Sequence, residues 1–105
     1  MKVEFLRAAE EELLEVALRY EEEREGLGSD FLAETRRLRE SLSTFPGLGE
    51  RLDSGFRRIS LRRFPYALIF RCEVDTVRVV AVAHRRRMPA YWRPRGVFTR
   101  PTGTN

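Results

Sequence analysis

Residues 56–84, FRRISLRRFPYALIFRCEVDTVRVVAVAH, decide the fold. Extended chain sends successive side chains to opposite faces. Tyr66, Leu68, Phe70 and Cys72 therefore share one face, and Ala67, Ile69 and Arg71 share the other. In the next run Val77, Val79, Ala81 and Ala83 oppose Arg78, Val80, Val82 and His84. The intervening 73-EVDT-76 predicts a hairpin turn. Residues 56–64 set Ile59 and Leu61 against Arg58, Ser60 and Arg62. Proline cannot donate to a strand ladder, so Pro65 divides this run from the strand that follows. Three strands are predicted, and Cys72 is expected to be a small buried apolar residue.

Upstream the period changes. Ala9, Leu13, Val16, Ala17 and Tyr20 recur at spacings of three and four, which predicts an amphipathic helix over 8–25. Glutamates fill most of the remaining positions, and Glu15 stands four residues before Arg19. The sequence 26-GLG-28 ends that helix, since glycine takes the left-handed cap conformation without steric cost. Ser29 or Asp30 is expected to cap a second helix. Its apolar stripe is Phe31, Thr35, Leu38, Leu42 and Phe45, with Leu32 alongside, and Pro46-Gly47 ends it. Residues 47–55 read as a loop. Before the first helix, Val3 and Phe5 alternate in a short strand over Lys2–Leu6.

The order is strand, helix, helix, strand, strand, strand. It predicts an α+β domain in which an N-terminal helical hairpin packs on one face of a small antiparallel sheet. At 105 residues the chain supports a single domain. We place it at 1–93, with 94–105, rich in Pro, Gly and Thr, expected to be a flexible tail. No apolar run approaches the ~20 residues of a spanning helix, so no membrane role is expected. The acidic N-terminal region has no signal-peptide pattern. One cysteine, Cys72, excludes an internal disulfide. Cytoplasmic residence is expected.

Charge is segregated. Residues 1–55 hold 14 acids and 8 bases, a net of −6, and residues 56–105 hold 2 acids and 12 bases, a net of +10. Only Lys2 among the 20 bases is lysine. The second half therefore predicts a surface for an anionic partner, since guanidinium binds phosphate and carboxylate in a bidentate fork. Its candidates are Arg57, Arg58, Arg62, Arg63, Arg71, Arg78, Arg85, Arg86 and Arg87, with Trp92 and Arg93 beside them. We expect these to form one cationic surface across the sheet face away from the helices. Arg57 and Arg63 share the Ile59/Leu61 side, so one or both must lie at strand ends.

Few residues could move a proton. His84 is the only histidine, and it ends a strand just before three arginines. Tyr91 and Trp92 could stack on a base or fold back over the core. Glu50 and Asp53, in the loop before the basic strand, are the acids placed to face the arginines. One histidine and one cysteine make no zinc site, so no metal is expected. The glycines fit no phosphate-binding loop or dinucleotide fingerprint, so no cofactor is expected.

Three segments together resemble the RelE/ParE superfamily of toxins from type II toxin–antitoxin systems. They are 20-YEEEREGLGSDFL-32, 57-RRISLRRFPYALIFR-71 and 79-VVAVAHRRRMPAYWR-93. They look more like its ParE-like, plasmid-stabilization branch. The resemblance implies a growth-inhibiting toxin held inactive by a cognate antitoxin, with a homodimer or a hetero-oligomer with antitoxin as possible assemblies. ParE-like members act as gyrase inhibitors, whereas RelE-like members are mRNA interferases that cleave on the ribosome. RelE-like enzymes use lysines and arginines of the sheet and a C-terminal tyrosine. This chain has no lysine after Lys2, and arginine cannot lose a proton at working pH. Only His84, Tyr91 and Glu50 remain for proton transfer, with Arg58, Arg62, Arg71 and Arg85 suited to clamp phosphate. The readings are thus a gyrase-binding toxin, a ribosome-dependent endoribonuclease, and, from another class, a non-toxic basic nucleic-acid-binding module. In each toxin reading the antitoxin is expected to contact the basic half.

Overall fold

The computed structural model describes residues 1–86 and 91–98, the last three of these by backbone alone. Strand β1 (Lys2–Phe5) leads into helix α1 (Arg7–Glu23) and helix α2 (Leu27–Thr44). A two-residue strand β2 (Glu50–Arg51) and a 3-10 turn (Asp53–Gly55) precede β3 (Arg57–Ser60), β4 (Tyr66–Cys72) and β5 (Thr76–His84). A short helix α3 (Arg93–Phe98) follows. Composition suggested no element after residue 93, so α3 is an addition to the sequence reading; 99–105 lie outside the described residues.

The expected α+β architecture is present, with the helical hairpin on one sheet face. The sheet has five strands in the order β1-β5-β4-β3-β2 and is mixed rather than wholly antiparallel. The last three strands run as an antiparallel meander, and β1 lies parallel to β5, Val3 opposite Val77. The helical hairpin carries the chain across the sheet, a crossover that parallel neighbours require. Pro65 separates β3 from β4 as its missing donor dictates, and Glu73 N–H closes the hairpin onto Thr76 O at 2.8 Å.

The helix-side core contains Val16, Phe31, Leu42, Leu68, Phe70, Val77 and Val79. Phe31, Phe64, Tyr20 and Tyr66 form an aromatic cluster with ring centroids 4.9–6.2 Å apart. Gly26 has φ of 88° and supplies the expected chain reversal between helices. Gly28 permits the close helix approach, because a Cβ there would meet the Ala17 carbonyl at 2.4 Å.

Four local expectations change. Neither Ser29 nor Asp30 caps α2, which begins two residues earlier. Glu21 of α1 accepts the Gly26 and Gly28 N–H groups instead, at 2.9 and 3.0 Å. A carboxylate at a helix N-terminus also meets the positive end of the helix dipole. Phe45 is 61% exposed, since α2 ends at Thr44 and the chain turns away there. Cys72 is exposed at the end of β4, its thiol donating to Pro46 O. In β5 a bulge breaks the alternation: Ile69 pairs with Ala81 but Phe70 pairs with Val79. The extra residue, Val80, swaps the faces of everything after it. Val82 joins the helix-side core, while Val80, Ala81 and Ala83 turn to the opposite side.

Candidate functional site

That bulge builds the sheet's second face. Phe56, Ile69, Val80, Ala81, Ala83 and Trp92 form a small separate core there. Trp92 is 7% exposed, so it covers this core rather than projecting from it. Tyr91 stands beside it with ring centroids 5.3 Å apart. Between Trp92 and the sheet lies a hollow of about 160 Å³. Ala67, Ile69 and Ala83 make its floor, Trp92 a wall, and Arg58, His84 and Arg85 its border.

The arginines divide between the two faces. Arg58 reaches Glu50 in a two-pronged ion pair, Nε at 3.3 Å and Nη2 at 2.9 Å. Arg71 and Arg78 stand directly opposite each other on β4 and β5, a like-charge pairing that needs compensation. Arg78 binds Glu4 at 2.6 Å and Glu73 at 2.9 Å. The Glu73 hydrogen bond leads in raising its pKa, with the Glu4 charge adding to it. Arg71 lies over the Phe56 ring at 5.2 Å. Arg85 and Arg86 are exposed beyond β5, and Arg93 reaches Asp53 at 2.8 Å. These residues share the second face or its rim.

Arg57, Arg62 and Arg63 belong elsewhere. Arg57 donates to the Gly47 carbonyl at 2.9 Å and ties down the loop after α2. Arg62 and Arg63 sit in the β3–β4 loop against α2, where Arg63 pairs with Asp30 at 3.3 Å. The expected single cationic surface is therefore two surfaces, because Arg57 stands opposite Phe70 of the helix-side core and β3 ends at Ser60, before Arg62 and Arg63. Arg87 lies outside the described residues.

The proton-transfer candidates are held by structural contacts. The His84 ring packs edge-on against Tyr66, 5.0 Å between centroids, and its Nδ1 accepts the Arg86 N–H at 3.0 Å. Tyr91 donates its hydroxyl to Glu12 at 3.2 Å. Glu50 is engaged by Arg58. Among the described residues no three His, Cys, Asp or Glu side chains are grouped to hold a metal ion. No helix among them is long and apolar enough to cross a membrane.

Sequence reasoning missed Glu12 and Arg95. β1 stops at Phe5, so among the described residues the edge of β5 beyond Val79 has no neighbouring strand. Glu12 of α1 accepts the Val82 N–H at 2.9 Å, and Arg95 of α3 donates to the Val80 carbonyl at 2.9 Å. The two side chains also pair, with contacts of 3.0 and 3.1 Å. Burial opposes the charge on Arg95, but Glu12 outweighs it and raises the guanidinium's pKa. Together they satisfy backbone groups that a further strand would otherwise bind. The signal for Glu12 was its position, three after Ala9 and four before Val16, inside the apolar stripe.

A mixed five-stranded sheet with a helical hairpin on one face and a tryptophan-capped, arginine-fringed opposite face defines a small α+β domain. A family model described as "ParE toxin of type II toxin-antitoxin system, parDE" matches residues 3–89. The chain belongs to this family and is the toxin component of a type II toxin–antitoxin system, with a cognate antitoxin as its partner. Among solved structures, a chain described as "Chromosomal ParDE TA system from P. aeruginosa" is similar, with a TM-score of 0.63 and 18% identity. The match covers 80% of this chain and 95% of that one, and at this identity it speaks for the fold. No curated protein matches the sequence.

Proposed function

We propose that this toxin arrests growth in the cytoplasm by binding DNA gyrase through the Trp92 face, without cutting a substrate, until the antitoxin neutralises the basic half. One observation carries the reading. The residues able to move a proton, His84 at the hollow and Tyr91 and Glu50 outside its lining, are already held in structural contacts, whereas Arg85 at its border and Arg71 over the Phe56 ring carry no ion pair among the described residues and suit an anionic partner. Such a surface suits recognition by charge and shape and is poorly equipped for general acid–base chemistry.

Expression without antitoxin, followed by parallel assays of plasmid supercoiling and mRNA integrity, tests this. The expected result is arrest with lost supercoiling and intact mRNA, unchanged in His84→Ala and Tyr91→Phe variants that remain folded. The second reading, a RelE-like ribosome-dependent endoribonuclease, is favoured by one feature: His84 borders the same hollow as Arg58 and Arg85. Cleavage of ribosome-bound mRNA that disappears with His84→Ala would establish it and overturn the first.

A further inference from the structure

A second cationic feature lies on the other side of the molecule and is independent of the Trp92 face. Glu34, Arg37, Leu38 and Ser41 recur at spacings of three and four on one face of α2. With Arg62 and Arg63 of the β3–β4 loop they line a groove of about 370 Å³. Its construction is specific. Glu34 is a buried carboxylate, 6% exposed, and it accepts the backbone N–H groups of both Arg62 and Arg63. Those two bonds fix the loop backbone, so both arginine side chains start from defined positions along the rim. Arg37 and Arg62 are exposed and, among the described residues, have no ion-pair partner. Arg63 holds Asp30, but that pair is more than 40% exposed on both sides and gives way at little cost.

We infer that this groove seats a short acidic peptide segment of a protein partner, with carboxylates on Arg37, Arg62 and Arg63 and an apolar side chain against Leu38. Charge complementarity is the argument. Three guanidiniums line the groove against one carboxylate, and each oxygen of Glu34 already accepts a backbone N–H. The forked geometry of arginine suits carboxylates. A nucleic-acid backbone fits less well. None of the groove's lining residues is an aromatic that could stack a base.

The probe is a fluorescein-labelled peptide, acetyl-Glu-Glu-Leu-Asp-Glu-Leu-amide, titrated into the full chain by fluorescence anisotropy. Its Gln/Asn counterpart and a single-stranded hexaribonucleotide serve as comparisons. The acidic peptide is expected to bind at least tenfold more tightly than either, and Arg37→Ala/Arg62→Ala to weaken it at least tenfold. That double variant removes only exposed side chains, and an unchanged melting temperature verifies its fold. Arg58→Ala/Arg85→Ala, which alters the Trp92 face, should leave peptide binding within twofold. Binding that survives Arg37→Ala/Arg62→Ala, or that is lost equally in Arg58→Ala/Arg85→Ala, would overturn the assignment. So would tighter binding of the hexaribonucleotide. None of these outcomes bears on the gyrase reading, which is scored by supercoiling.

Discussion

The two faces of the sheet bury apolar side chains in different ways. On the helix side, a hairpin of 17 and 18 residues covers Leu68, Phe70, Val77 and Val79 and shuts water out. On the other side, Phe56 and Trp92, with Leu6, Leu52 and Tyr91 packed against them, cover Ile69, Val80 and Ala81 with a single thin layer. The first face is a core and little else. The second is a core narrow enough to leave arginines at its border, so the same residues that close it also make it a surface. One bulge at Val80 separates the two, by turning Val82 inward and Ala81 and Ala83 outward.

Large-to-small substitutions measure that contrast first. Phe31→Ala, at 0% exposure within the aromatic cluster, should cost about 4 kcal/mol in urea unfolding. Trp92→Ala should cost about 3 kcal/mol, because the thinner layer can relax around the gap. If the tryptophan change costs more than the phenylalanine one, the second face is the principal core and the comparison is reversed. Next comes the Glu12–Arg95 pair. Glu12→Gln leaves Arg95 facing an amide across the β5 edge and should cost about 2 kcal/mol. Hydrogen exchange should quicken at the Val82 amide, which Glu12 accepts.

Arg58→Ala separates stability from function. Its pair with Glu50 is 37% exposed at the arginine and 62% at the glutamate, so the loss should stay below about 1 kcal/mol. Growth arrest should nevertheless weaken at least tenfold, read as surviving colonies after induction. The smallest effect is alkaline. Burial, and then the neighbouring Tyr66, raise the pKa of Tyr20 above the ordinary 10.0. The folded state then holds this proton more tightly than the unfolded chain does. Stability from this source is whole below pH 10 and falls as pH rises through the higher folded value. Tyr20→Phe should flatten that decline, measured as melting temperature from pH 9 to pH 11.

Much of this architecture was legible in local pattern. The stripe through Ala9, Leu13, Val16 and Tyr20, the glycine at 26 and the break at Pro65 each act over a few residues, and each placed its element. What was illegible depends on contacts across the chain. In VVAVA both faces of the strand are apolar, so nothing in residues 79–83 betrays the bulge; only pairing with Ile69 and Phe70 does. β1 carries no mark of its parallel partner 74 residues away. Glu21, Glu34 and Glu12 look like surface acids until the backbone donors they serve come into view. The basic half was legible as charge but not as geometry. Arg57 stays in β3 but opposite Phe70 of the helix-side core, and Arg62 and Arg63 fall beyond the sheet because β3 is only four residues long.

Supercoiling of relaxed plasmid by purified DNA gyrase, with the purified toxin added in stoichiometric excess, decides whether the Trp92 face binds gyrase. The expected result is inhibition that is retained by His84→Ala and lost in Arg58→Ala/Arg85→Ala. Unimpaired supercoiling, with cleavage of mRNA on purified ribosomes by the same preparation, would contradict it.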